Sequence, residues 1–174
     1  LIGVGTIHQL HAWLTTGLAV VATPSLWWGN FSLSTLFLRP FLDGCLAFMR
    51  EHRYEPRYSE WTVFHPLIGY AGTLDAIGDL DGAATLIDFK TCASEVKAVV
   101  YPEHRLQLAA YARARVGLSA DGTEAGVPRV KNLVVLHLWP GGYDLTTWRP
   151  NVADFAAFRH ALAVLARAAL YIGP

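Results

Sequence analysis

The stretch Gly72–Thr91, GTLDAIGDLDGAATLIDFKT, decides the fold of this chain. It belongs to two strand-like runs, Gly69–Gly78 and Ala84–Thr91, separated by the turn formers Asp79-Leu80-Asp81-Gly82. That pattern predicts an antiparallel hairpin. Strand side chains alternate, so within Ile87-Asp88-Phe89-Lys90-Thr91 the Asp88 and Lys90 side chains share one face while Ile87 and Phe89 take the other. A carboxylate and an ammonium side by side, flanked by apolar residues, are unlike ordinary half-buried core. Asp75, on the preceding strand, comes alongside Asp88. Two converging carboxylates repel each other, and a divalent cation bound by hard oxygen ligands is the natural compensation. Lys90 beside them can orient a water or stabilise developing phosphate charge. The competing reading is a surface ion pair between Asp88 and Lys90, with Asp75 facing solvent.

Outward from the hairpin, the pattern predicts a mixed α/β fold. Trp61–His65 alternates with period two and reads as a strand, and Asn132–Trp139 and Tyr143–Arg149 form a hairpin around Pro140-Gly141-Gly142. Pro102-Glu103 opens a helix of good formers reaching about Val116, and Ser119–Pro128 reads as loop. Asn151 is an N-cap with Asp154 three residues on, for a closing helix through Leu170. Upstream, Ile7, Leu10, His11 and Leu14 have helical spacing from about Thr6 to Thr16, Gly29–Thr35 reads as loop, and Pro40 opens a helix with Phe41, Leu42, Cys45, Phe48 and Met49 on its apolar face. The expected architecture is a mixed five-stranded sheet with helices on both faces.

Composition narrows the classes of function. The chain has 174 residues, enough for one domain, and 53% hydrophobic content excludes wholesale disorder. Its 14 Lys+Arg balance 14 Asp+Glu, so a polyanion partner would need locally arranged basic residues. The two cysteines, Cys45 and Cys92, form no CxxC motif and argue against a disulfide framework or zinc knuckle. An intracellular, cytoplasmic protein is the default expectation. There is no Gly-x-x-x-x-Gly-Lys-[Ser/Thr] loop, so no nucleotide cofactor or ATPase motor is expected. From Leu1 to Leu38 there is no charged residue; Thr15, Thr16, Gly17, Thr23, Pro24 and Ser25 interrupt the apolar runs, and no membrane partner is expected.

The helix after Pro102 carries a polar strip. Gln107 and Tyr111 are four apart and share a face, with His104 and Arg115 on nearly the same stripe. Such a strip suits contact with a phosphate backbone; an ordinary solvated helix face is the alternative.

Gly72-Thr73-Leu74-Asp75, Ile87-Asp88-Phe89-Lys90-Thr91 and Gln107-Leu108-Ala109-Ala110-Tyr111 stand in the order G-x-x-D, D-x-K, Q-x-x-x-Y, and Gly5-Thr6-Ile7-His8 adds an upstream Gly-Thr-x-x-His. In these motifs the chain resembles the PD-(D/E)XK nuclease superfamily, in particular its RecB-like branch with the phage exonucleases. The resemblance implies a single nuclease domain over 1–174 with a restriction-endonuclease-like core, a helical part at 1–58 and the sheet core at 59–174. It implies a Mg²⁺-dependent (or Mn²⁺-dependent) deoxyribonuclease, an exonuclease acting in recombination, repair or phage DNA processing. His8, Asp75, Asp88 and the backbone carbonyl of Phe89 would be metal ligands, and Asp75, Asp88, Lys90, Gln107 and Tyr111 the catalytic set. Glu60, placed just before the first strand, would be an auxiliary carboxylate; a structural salt bridge with Arg53 or Arg57 is the other reading. His104, Arg105 and Arg115 would contact DNA, as a single strand or a duplex end. Implied partners are a recombinase, a single-strand-binding protein, a separate helicase or further copies of the chain, in the cytoplasm of a bacterial or phage-infected cell. The four-Cys iron–sulfur cluster of some RecB-like nucleases cannot be built from two cysteines. A non-catalytic DNA-end-binding or scaffolding module on the same fold is the alternative function.

Overall fold

The computed structural model describes the backbone of residues 33–171 and the side chains of residues 39–168. The helix expected over Thr6–Thr16, with Gly5-Thr6-Ile7-His8, lies outside them. Helix α1 spans Leu33–Glu51, followed by β1 (Glu55–His65), β2 (Tyr70–Leu80) and β3 (Ala83–Thr91). A short 3-10 turn at Glu95–Lys97 leads to α2 (Pro102–Tyr111), then β4 (Val116–Leu118), β5 (Glu124–Gly126), β6 (Asn132–Trp139), β7 (Gly142–Trp148) and α3 (Val152–Tyr171). All seven strands form one sheet in the order β5-β4-β1-β2-β3-β6-β7. Among the described residues only the β3–β6 pair is parallel, and α2 lies on the connection between them. The fold is mixed α/β.

The decisive hairpin is built as its turn chemistry dictates. Leu80 pairs with Ala83, so the loop is Asp81-Gly82 alone, and both residues have positive φ (51° and 79°). Asp-Gly tolerates that left-handed pair, whose twist matches the flanking strands. Asp81 also meets the His52 ring at 3.0 Å, tying the turn to the end of α1.

Alternation divides the sheet's buried side chains between two cores. On one face Cys45 and Phe48 of α1 pack against Ala76, Leu80, Ile87, Phe89, Val134, Leu136 and Leu138. On the other, Leu108 of α2 and Ala114 pack with Trp61, Val63, Leu74, Ile77, Leu86, Leu133 and Val135. The third helix closes over α2 through Arg105–Asp154 (3.0 Å) and an edge-on Tyr70–Phe158 contact. Asn151 caps it, accepting the Asp154 N–H at 2.8 Å.

Several expected boundaries move. The sheet has seven strands where the pattern predicts five. The missing pair, β4 and β5, are three residues each, too short to show periodicity, and they flank an Asx-type turn in which Asp121 Oδ1 accepts the Thr123 N–H. The helix from Pro102 stops at Tyr111 and not near Val116, because the Arg115 N–H is captured by the Phe64 carbonyl at the β1 edge. β1 begins at Glu55, so strand enters the part expected to be helical up to residue 58. α1 begins at Leu33, upstream of Pro40, which it contains, and takes in the end of the stretch read as loop. Proline costs that helix one hydrogen bond without ending it.

A glycine makes the short β4 possible. A Cβ at Gly117 would overlap the Trp61 indole, a rigid buried group, whereas one at Gly126 meets nothing within 4 Å. Gly117→Ala is expected to destabilise the protein by about 1–3 kcal/mol and Gly126→Ala by no more than about 0.5 kcal/mol, measured by chemical denaturation.

Candidate active site

The β2–β3 ladder runs from Leu80–Ala83 to Ala76–Ile87 and ends there. One step further Asp75 faces Asp88, and the ladder is replaced by a side-chain bond: Phe89 N–H donates to Asp75 Oδ2 at 2.8 Å. β3 stays paired with β6 as far as Thr91, so β2 is the strand that parts from it. On the far side of β2, Ser59–Ala76 and Trp61–Leu74 bracket Glu60 opposite Asp75. Glu60 has φ +48°, a strained value for a residue with a Cβ. Tyr58 and Trp61, three apart, pack on the same face, as do Leu74 and Ile77. The alternation therefore slips by one on both strands at Glu60 and Asp75. Glu60 thus lies inside β1, not just before it.

Asp88 is 4% exposed on the α2 face, below Leu86 in the alternation, while Ile87 and Phe89 belong to the opposite core. Lys90 Nζ stands 2.8 Å from both carboxylate oxygens and donates to Oδ1. Oδ2 is buried and has no hydrogen-bond partner. The Asp88–Lys90 pair is therefore an inward-facing one, not a solvated surface pair. Burial first, then the neighbouring Asp88 charge, pushes Asp75 up from 3.8 to about 6; the Phe89 N–H and Lys90 pull the other way, and Glu60 adds to the rise. Two converging carboxylates, one of which holds its proton to about pH 6, fit a divalent cation whose charge would offset their repulsion. The Phe89 carbonyl lies on the same edge of β3 as its N–H, toward β2. Among the described residues no group of three or more His, Cys, Asp or Glu is gathered as a metal cluster. His8, the expected third side-chain ligand, lies outside them.

Helix α2 covers this gap. Gln107 Nε2 donates to the Tyr111 hydroxyl at 3.2 Å, and burial raises the Tyr111 pKa while that bond lowers it. Tyr111 also feels the charges of Asp75, Asp88 and Lys90. Gly72 makes its place: a Cβ there would lie 2.7 Å from Tyr111 Cε1 and 2.8 Å from its hydroxyl. The first glycine of G-x-x-D thus serves the tyrosine of Q-x-x-x-Y. His104 sits at the other end of the strip, its pKa lowered by burial and then by Lys90. The expected stripe loses Arg115, which follows the helix and joins the β1 edge through its backbone. Arg105 turns away toward α3, paired with Asp154 at 3.0 Å and set 5.0 Å over the Trp148 ring.

One residue at this site has no signal in the sequence. His137 pairs in register with Lys90 across β3–β6, is 2% exposed, and keeps Nδ1 buried without a partner. Burial lowers its pKa, with His104 and Asp88 among the groups it feels. No spacing along the chain links it to Asp88; only the parallel register does.

No family model matches the chain, and no curated protein matches it. Among solved structures it is similar to the crystal structure of SSO0001, with a TM-score of 0.42 and 15% identity, covering 97% of this chain and 71% of that one.

Asp75 makes stability depend on pH. The folded protein holds its proton to about pH 6 and the unfolded chain releases it near 3.8, so this stabilisation is complete below about pH 4 and lost as pH rises through 6. Asp75→Asn should remove the dependence: in EDTA, the stability of the variant relative to wild type should rise by about 2–3 kcal/mol between pH 4 and 7, read from denaturant melts. A flat difference would show that Asp75 titrates normally.

Proposed function

We propose that the chain is a metal-dependent deoxyribonuclease of the PD-(D/E)XK type that hydrolyses DNA phosphodiester bonds as an exonuclease. The observation that carries this reading is the convergence of Asp75, Asp88 and Lys90 where β2 and β3 part, with the Asp88 carboxylate buried and met by the Lys90 ammonium. The motif order supports it, and so does the way Gly72 accommodates Tyr111.

Asp75 and Asp88, with the Phe89 carbonyl and His8 on the resemblance, would hold Mg²⁺ or Mn²⁺. Such an ion supplies a Lewis acid for the phosphoryl oxygen and lowers the pKa of a bound water. The chain's own groups do the rest. Lys90 pairs with the buried Asp88 carboxylate and would place a positive charge beside the reacting phosphate. The Phe89 N–H fixes Asp75 Oδ2 and leaves Oδ1 to turn into the gap. Gln107 orients the Tyr111 hydroxyl toward the carboxylates, and the two can hold the scissile strand from above.

Asp88→Asn and Lys90→Ala should each lower Mg²⁺-dependent cleavage of end-labelled linear DNA by about 10²–10³-fold or more, with circular DNA resistant in wild type. Native circular dichroism with unchanged cleavage in both variants would overturn the assignment. Gly72→Ala, which forces Tyr111 aside, should lower kcat about tenfold, equivalent to about 1.4 kcal/mol of transition-state stabilisation.

A further inference from the structure

The end of α2, the segment before β6 and the end of β7 enclose a cleft of about 480 Å³ whose lining includes Arg113, Arg129, Lys131 and Arg149. These are four of the chain's 14 Lys+Arg, and none of its 14 Asp+Glu lines the cleft. All four are exposed, and among the described residues none is in an ion pair. Four like charges on a neutral protein repel one another, and sequence separation does not explain their meeting: they come from three segments of the chain.

The walls are fixed by the backbone. Lys131 N–H donates to the Ala84 carbonyl at 2.7 Å, Val127 N–H to the Arg115 carbonyl at 3.2 Å, and Arg113 N–H to the Ala110 carbonyl at 3.0 Å. Pro128 and Pro150 stiffen two of the three segments. The Arg113 guanidinium is further steadied 5.9 Å over the Phe155 ring. A cleft held this way loses little entropy on binding.

We propose that this cleft is a docking site for the phosphodiester backbone of a single DNA strand whose other end lies at Asp75 and Asp88. The proposal rests on the nuclease reading for its substrate and extends it to residues outside the motifs. Two features favour a strand over a lone phosphate. The cleft is lined by four cations, more positive charge than one phosphate group balances, and it opens two residues beyond Tyr111, at the end of the helix that covers the carboxylates. Cations that engage the phosphate backbone supply affinity without reading sequence.

The test is fluorescence anisotropy with a labelled thymidine homopolymer, in EDTA so that nothing is cut, over a series of salt concentrations. The triple variant Arg129→Ala/Lys131→Ala/Arg149→Ala should bind more than tenfold more weakly at low salt, and its slope of log K against log salt should be shallower by about 2, at roughly 0.7 per phosphate contact. The charge-conserving Arg129→Lys/Lys131→Arg/Arg149→Lys should restore most of the affinity and the slope. Unchanged affinity and slope in the alanine variant overturn the proposal, as does a variant that loses binding of inorganic phosphate while its oligonucleotide affinity stays that of wild type. Oligonucleotide bound through the cleft but never cut in Mg²⁺ would sink the nuclease reading and leave the cleft standing. Cutting in Mg²⁺ with no effect of the triple variant would do the reverse.

Discussion

Two carboxylates, half-buried Asp75 and buried Asp88, meet where the β2–β3 ladder ends, and the surrounding structure is organised around that conflict. Each is held by a different donor: Asp75 by the Phe89 N–H, Asp88 by the Lys90 ammonium. The first bond explains why the ladder can end without an orphaned backbone donor, because Asp75 takes the place of a strand. The second explains why Asp88 can be 4% exposed at all, since an unpaired buried carboxylate would neutralise itself. Lys90 meets both Asp88 oxygens, whereas burial and then the Asp88 charge make Asp75 keep its proton to about pH 6. A protein selected for stability alone would place an amide at Asp75. Strain at Glu60, directly across β2, belongs to the same account: the slip in alternation that aims Asp75 into the gap is shared by both strands.

The early end of α2 has two structural consequences. It lets Ala114 enter the core and delivers the Arg115 N–H to Phe64, so β4 can extend the sheet beyond β1. It also projects Arg113 toward the segment before β6, which Lys131 anchors to the start of β3. The polar strip and the basic cleft are therefore successive parts of one connection. Gly72 and Gly117 work alike on the two sides of it, one giving way to the Tyr111 ring and the other to the Trp61 indole.

Legibility followed the range of the interaction. Local chemistry could be read directly: the Asp-Gly turn, the Asn151 cap and the split of Ile87 and Phe89 from Asp88 all depend on residues within a few positions of each other. Motif spacing was enough to pick out Asp75, Asp88, Lys90, Gln107 and Tyr111, which the fold does bring together. Features set by distant partners were invisible. Nothing between Tyr111 and Val116 breaks a helix, and the break comes from an edge carbonyl 51 residues earlier, at Phe64. His137 reaches the site only through parallel register with β3, and the cleft cations only through three separate segments. The Arg105 partner was out of reach of the sequence for a related reason. On the helical wheel it lies beside the polar strip, but its ion pair with Asp154 depends on where α3 docks.

The zero net charge conceals a strong separation. A groove between α1 and β7 is lined by Asp43, Glu51, Glu95 and Asp144 with His52 and with no Lys or Arg, whereas the cleft at the end of α2 holds four cations and no acid. At physiological ionic strength fields decay over about 8 Å, so an approaching polyanion responds to these patches and not to the total. It is turned from the acidic groove and drawn to the basic cleft, which fixes an orientation before any close contact forms. Within the gap itself the balance is acidic: the Asp75 and Asp88 carboxylates meet there with the Lys90 ammonium beside Asp88. The neutral total thus hides two oppositely charged patches, and a charged partner meets each of them before it meets their sum.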